Sequence, residues 1–310
     1  MLASQWGAEF DARLLAVRPE LELIALPRRL AWPLPARAEV LLALPFVPED
    51  QGEGPPVGWP FGLRWIQLVS VGIDNYPRWF LAGPSVSTAR GSSSQTISDF
   101  VLACVLHHGL RLHARRVSGP AQWKHHAAPA LAGSTLGLFG FGGIGQALAR
   151  KALALGLRVI ALRRSASPFG IDGVEAARDL ADLVARSDHL ALVAPGTQAT
   201  RHVIDAAALR HAQPHLHLIN VSRGSLVDQD ALRAALDDGR LAYASLDVTE
   251  PEPLPEGHWL YAHPRVLLTP HTCAISPQVH DVLLARVLEG LAAYAQGRPP
   301  PDRVDLARGY

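Results

Sequence analysis

The run Ser134-Thr135-Leu136-Gly137-Leu138-Phe139-Gly140-Phe141-Gly142-Gly143-Ile144-Gly145-Gln146-Ala147-Leu148-Ala149-Arg150 decides how this chain folds. It reads as an apolar strand, a tight glycine turn and a helix that opens without a break. Gly140, Gly142 and Gly145 make the G-x-G-x-x-G spacing. The first glycine allows the turn, the second lets backbone approach a pyrophosphate, and the third packs helix against strand. The N-terminus of the helix, with Gly143 and Ile144 in it, then faces the phosphates. Any tight strand-to-helix turn could use such glycines, but both flanking elements are readable here, and a dinucleotide site is the expectation.

Beyond this turn the rhythm is strand and helix repeated. Strands are expected at 158–162, 189–193, 215–221, 242–247 and 266–269, with helices at 180–184, 230–237 and after Thr200. Such alternation implies an α/β, Rossmann-type doubly wound parallel sheet, whose ligands sit at the carboxyl ends of its strands. Before the turn, Leu2-Ala3-Ser4, 21–24, 39–44 and 65–70 read as strands and 10–17 as a helix. These make a second, smaller α/β layer, and 49–60 reads as a glycine- and proline-rich surface loop. A helix from Ile97 to Leu112 follows a polar stretch, with Asp99 in its first turn and Arg111, His113, Arg115 and Arg116 at its end. The first domain crossing is placed near Gln95.

The 310 residues can bury two ordinary cores, and 48% hydrophobic with 18% charged residues is the balance of a globular protein. A formal charge of +1 gives no global field for nucleic acid or an anionic membrane, so the expected partner is a small molecule. Cys104 and Cys273 are too few for a disulfide framework, which fits a reducing compartment. No basic segment leads into a long apolar run at the start, and no stretch approaches the roughly 18 apolar residues of a membrane span, so the cytoplasm is expected.

Three strand ends carry the informative side chains: Asn220-Val221-Ser222-Arg223-Gly224, Asp247-Val248-Thr249-Glu250-Pro251-Glu252-Pro253 and Thr269-Pro270-His271-Thr272. With the glycine turn, and with Gln67 to Asp74, Pro195 to His202 and the C-terminal Pro301 to Asp305 and Gly309-Tyr310, these resemble the D-isomer-specific 2-hydroxyacid dehydrogenases. The resemblance covers nearly the whole chain. It implies a catalytic arginine, glutamate and histidine, which fall on Arg223, Glu252 rather than Glu250, and His271. It also implies cofactor contacts from Pro195, Thr200, Val221 and Ser222, and an Asp247 near the nicotinamide, where an acceptor could bind the carboxamide.

The chemistry accounts for these residue types. Reducing a 2-keto acid needs a proton for the carbonyl oxygen, and histidine titrates near working pH. A carboxylate beside it favours the imidazolium and holds the ring. A guanidinium offers a planar fork to the substrate carboxylate and keto oxygen. Val71 and Gly72, straight after a strand, expose backbone N–H groups that suit the same carboxylate.

Roughly 20 residues past the glycine turn an NAD enzyme presents Asp or Glu to the ribose. This chain has Arg163-Arg164-Ser165 there. Two guanidiniums and a hydroxyl attract a 2′-phosphate, which favours NADP, with NAD still possible. The resemblance makes the first domain discontinuous and flavodoxin-like, residues 1–95 with 275–310 around a nucleotide domain of 96–274. It also implies a homodimer joined through the nucleotide domain, where the long helix after Gln95 fits such a contact.

No metal is expected. The pairs His107-His108 and His125-His126 do not converge as histidines four apart on a helix would, and His215 with His217 on one strand face lacks a third ligand. Cys273 reads as a small packed residue. Ile97-Ser98-Asp99-Phe100 and Cys273-Ala274 depart from the family's usual residues. The expected activity is reduction of a small 2-keto acid such as glyoxylate or hydroxypyruvate. A dinucleotide-sensing binding protein, similar to certain corepressors, is the alternative from another class; an amino-acid dehydrogenase or phosphite oxidoreductase is a closer rival.

Overall fold

The computed structural model describes residues 1–47, 54–115, 117–123, 127, 130–165 and 167–307. Arg116, the His125-His126 pair, Gly309-Tyr310 and the first residues of the 49–60 loop lie outside them. The chain divides into two compact units, Met1–Ser92 with Ser276–Tyr310, and Ser93–Ile275.

In the first unit β1 (Leu2–Ser4), β2 (Leu23–Ala25), β3 (Val40–Ala43), β4 (Trp65–Leu68) and β5 (Ser85–Ser87) form a sheet in the order β2-β1-β3-β4-β5. Every neighbouring pair is parallel, and this is the flavodoxin-like order. β3 and β4 are buried throughout, as strands covered on both faces must be. The short β5 and the helix α2 (Arg78–Ala82) were not legible in the sequence, because neither is long enough to show a period.

The helices α1 (Ala8–Val17) and α9 (Pro277–Ala295) bring Phe10, Leu14, Leu283, Val287 and Leu291 into one buried cluster with Trp65. Gly290 is the close point of that packing. A Cβ there would sit 2.3 Å from the Trp65 ring, which is fully buried and has nowhere to go.

In the second unit β6 (Thr135–Phe139), β7 (Arg158–Leu162), β8 (Val174–Ala176), β9 (His189–Leu192), β10 (His217–Asn220), β11 (Tyr243–Leu246) and β12 (Val266–Leu268) form a parallel sheet in the order β12-β11-β10-β9-β6-β7-β8. This is the doubly wound Rossmann order, and its switch point lies between β6 and β9. α5 (Gly143–Ala154) follows the glycine turn, and α6 (Leu180–Arg186), α7 (Ala206–Leu209) and α8 (Gln229–Asp237) join the later strands. β8 is a short edge strand and was not anticipated.

The helix expected from Ile97 is α3 (Ser94–Gly109), so Gln95 is helical rather than part of a loop and Asp99 lies beyond the first turn. Asp99 pairs with Lys151 of α5 at 2.6 Å, and Lys151 also donates to Ser98 at 2.7 Å. The helix stops at Gly109, and Arg111 has φ +52°, so Arg111 and Arg115 follow a break instead of capping this helix. Arg115 ends the separate short helix α4 (Leu112–Arg115).

Three of the histidines are structural. His217 is fully buried, with Nδ1 3.2 Å from His189 Nδ1 and Nε2 2.9 Å from Ser245 Oγ. His108 of α3 lays its ring 4.5 Å from that of His217 and stacks on Tyr243 at 4.8 Å. His215 does not share this environment: it precedes β10, is exposed and bonds Asp188 at 2.7 Å. Among the described residues no group of His, Cys, Asp and Glu could hold a metal ion, and no helix is long and apolar enough to cross a membrane.

Burial lowers His189 to about 4, despite the Asp188 charge, and drives His217 well below its ordinary value, with His108, His189 and His107 adding to the effect. A neutral histidine inside takes up its proton only on unfolding, so stability is full above about pH 6.5 and is lost as pH falls toward 4. The loss sets in as pH falls from 6.5 to 5, and thermal melts across that range will read it. His189→Gln will flatten the slope. Independently, Gly290→Ala will lower stability by about 1–3 kcal/mol by overpacking against Trp65, against the gain in helix propensity.

Candidate active site

The glycine turn is built as its spacing requires. Gly140 follows β6 with φ +106°, and a Cβ on it would lie 2.6 Å from the Ala194 nitrogen at the end of β9, so only glycine fits. A Cβ on Gly145 would lie 2.8 Å from the Gly140 carbonyl, which is the close approach of helix to strand end. Gly142 differs. It is the N-cap of α5, and a Cβ there would meet nothing within 4 Å. Its missing side chain leaves open space before the helix N-terminus, which is the cradle a pyrophosphate needs. Gly143 and Ile144 begin the helix, so their N–H groups are among its unpaired donors.

Pro195 and Thr200 belong to one turn after β9: the Thr200 hydroxyl donates to the Pro195 carbonyl at 2.9 Å and accepts from the Thr197 N–H at 2.8 Å. Val221 is buried after β10. Ser222 Oγ donates to the Ala194 carbonyl, tying the β10 loop to the strand end that Gly140 touches. Asn220, which sequence reasoning passed over, holds this loop from both sides. Its Nδ2 donates to the Arg223 carbonyl at 2.8 Å, and its Oδ1 accepts from the Ser222 N–H at 3.1 Å. An Asn at a strand end before a turn was the available signal.

His271 Nδ1 lies 2.8 Å from Glu252 Oε2, and Glu252 Oε1 accepts from the Thr249 N–H at 2.8 Å. Glu250 is used elsewhere, paired with Arg201 at 2.8 Å. His271 is raised above its ordinary pKa, chiefly by the Glu252 hydrogen bond, against burial and the Arg223 charge. Burial pushes Glu252 up, but the His271 hydrogen bond, the Thr249 N–H and Arg223 outweigh it and leave it lowered. Arg223 therefore acts electrostatically on both members of the pair. The guanidinium also donates to the Ser222 carbonyl at 2.7 Å.

His271 has φ +54°, a left-handed backbone that costs a non-glycine residue of order 1 kcal/mol. Asp247, which is 1% exposed, holds it there. Its Oδ1 accepts from Thr269 Oγ1 at 2.5 Å and the Thr272 N–H at 3.0 Å, its Oδ2 from the Cys273 N–H at 2.9 Å, and its carbonyl from the His271 N–H at 2.8 Å. Cys273 is buried, and burial pushes its thiol up, as a packed residue requires.

The arginine pair after β7 divides. Arg163 donates to the carbonyls of Ser167 and Pro168, while Arg164 is exposed. In the other unit Val71 and Gly72 follow β4, where Ser70 Oγ donates to the Gly72 carbonyl at 2.7 Å. Among the described residues neither the Val71 nor the Gly72 N–H has a protein acceptor.

The family model described as D-isomer specific 2-hydroxyacid dehydrogenase, NAD binding domain, matches residues 100–273. A glyoxylate reductase of Korarchaeum cryptofilum is 33% identical over 257 residues, 78% of this chain and 76% of the relative. A glyoxylate/hydroxypyruvate reductase A of Serratia proteamaculans is 32% identical over 260 residues, 80% of this chain and 82% of the relative. Among solved structures, an NADPH-dependent glyoxylate/hydroxypyruvate reductase of Sinorhizobium meliloti, in complex with NADP and sulfate, superposes with a TM-score of 0.83 at 27% identity. It covers 100% of this chain and 99% of its own.

The Glu252 hydrogen bond can be tested on the folded protein without turnover. Glu252→Gln removes the largest contribution raising His271, so its imidazole pKa, followed by NMR, will fall. An unchanged value would mean that the 2.8 Å contact does not govern the ring. With its nucleotide-domain match and relatives of this class along most of its length, the chain belongs to the D-isomer-specific 2-hydroxyacid dehydrogenase family and is an oxidoreductase of that class.

Proposed function

We propose that this enzyme reduces a small 2-keto acid, of the glyoxylate or hydroxypyruvate type, to the 2-hydroxy acid with NADPH as preferred reductant. The observation that carries the reading is the His271–Glu252 pair at 2.8 Å under the charge of Arg223. The names of the Korarchaeum and Serratia relatives support the substrate class, and the NADP bound to the Sinorhizobium reductase supports the cofactor.

Arg223 presents its fork to the substrate carboxylate and keto oxygen, which fixes the carbonyl and favours negative charge on its oxygen. Because Nδ1 of His271 faces Glu252, Nε2 carries the transferable proton and gives it to the keto oxygen; in the reverse direction it takes the proton back. Glu252 stabilises the imidazolium that must be present at the start of reduction. The bound nicotinamide supplies or accepts the hydride. The residues that would hold the dinucleotide are Gly140, Gly142, Gly143, Ile144 and Gly145 around the pyrophosphate, Arg164 at the 2′-phosphate, and Pro195, Thr200, Val221 and Ser222 along the strand ends. The domain assignment 1–95 with 275–310 and 96–274, a homodimer using α3, and a cytoplasmic location belong to the same proposal.

Absorbance at 340 nm with NADPH or NADH and glyoxylate, hydroxypyruvate, pyruvate or a branched 2-keto acid tests it. NADPH oxidation should exceed NADH oxidation, and His271→Ala should lower it about 10²–10⁴-fold. The reduction rate will fall as pH rises through the raised His271 pKa, and oxidation of the hydroxy acid will rise over the same range. Faster turnover with NADH would overturn the cofactor preference, and no reduction of any of these acids would overturn the substrate class.

A further inference from the structure

In sequence Arg163 and Arg164 are a matched pair, but their surroundings differ. Arg163 Nη2 donates to the Ser167 carbonyl and, at 2.7 Å, to the Pro168 carbonyl. The guanidinium carbon lies 4.8 Å from the centre of the Phe169 ring and 5.9 Å from that of Phe141. The two rings meet edge to face at 4.6 Å. Phe141 is 5% exposed and stands between Gly140 and Gly142 in the glycine turn. The guanidinium thus ties the segment after β7 to the turn that cradles the pyrophosphate. A planar cation that stacks on rings and donates from its edge is suited to this, and an ammonium is not. The Nη2 donors of Arg163 are thus already taken by two carbonyl acceptors of the segment after β7.

We infer that Arg163 is a positioning residue that fixes the Ser167–Phe169 wall of the nucleotide site for either dinucleotide, and that recognition of the 2′-phosphate falls on Arg164. The second half rests on the NADP reading above; the first does not. Arg163 contributes equally to binding of phosphorylated and unphosphorylated adenosine ligands, because what it supplies is a shaped wall. Arg164 contributes only where a 2′-phosphate is present.

Calorimetric titration of the full-length protein with 2′,5′-ADP and with 5′-AMP separates the two roles without turnover. Arg164→Gln should weaken 2′,5′-ADP by about tenfold or more and leave 5′-AMP unchanged. Arg163→Gln should weaken both probes by a similar factor of about five to ten, and Arg163→Lys, which keeps the charge but loses the fork, should do the same. Phe169→Leu removes the stacking face without touching any charge and should reproduce the Arg163→Gln pattern. Loss of 2′,5′-ADP alone in Arg163→Gln, or wild-type affinity in Arg163→Lys, would overturn the positioning role. Equal wild-type affinity for the two probes would overturn the Arg164 assignment with the NADP reading, while the parallel losses in Arg163→Gln and Phe169→Leu would still uphold the wall.

Discussion

The site depends on one close approach, that of Gly140 to Ala194. With a Cβ absent and φ at +106°, the end of β6 lies against the end of β9 at the switch point of the sheet. From that contact a chain of short interactions reaches the chemistry. The Ala194 carbonyl takes the Ser222 hydroxyl, Asn220 holds the Ser222 N–H and the Arg223 carbonyl, and Gly196 leaves room where a Cβ would come within 2.8 Å of Arg223 Cγ. The turn that leaves space for the pyrophosphate therefore also sets the guanidinium. A side chain at Gly140 would move both, since β6 and β9 are packed neighbours.

The His271–Glu252 pair is held by a different device. A buried carboxylate, Asp247, receives three hydrogen bonds from residues 269–273, and its carbonyl receives the His271 N–H. These bonds sustain a backbone conformation at His271 that would otherwise relax. Loops reach such conformations only when their surroundings over-determine them. The Thr249 N–H likewise orients Glu252. The arginine, the carboxylate and the imidazole each come from a separate strand end, and each is locked by a neighbour that performs no chemistry itself.

Much of this was legible along the chain. The glycine spacing and the strand rhythm of the second unit have spacings and periods that physics ties to one structure. Arg223, Glu252 and His271 stood out through the family resemblance, each in a loop that follows a strand of the second unit. Short elements were not legible. β5 and β8 have three residues each, too few to alternate, and α3 began among serines that carry no apolar period. The Gly109–Arg111 break was hidden because its cause is a local left-handed residue, not a composition.

By itself, then, the order of residues determined the α/β class and the glycine turn, because each rests on local spacing, while the family resemblance it carries is what singled out Arg223, Glu252 and His271. Only the tertiary structure decided how neighbouring side chains of one type divide their work. Glu252 faces His271 while Glu250 faces Arg201. His217 is enclosed while His215 meets solvent and Asp188. Arg163 is drawn onto carbonyls and rings while Arg164 stays exposed. Side chains two residues apart or adjacent look alike in sequence, and the partners of the glutamates and of His215 come from segments 19 to 49 positions away, whose approach is fixed by packing, not by the residues beside them.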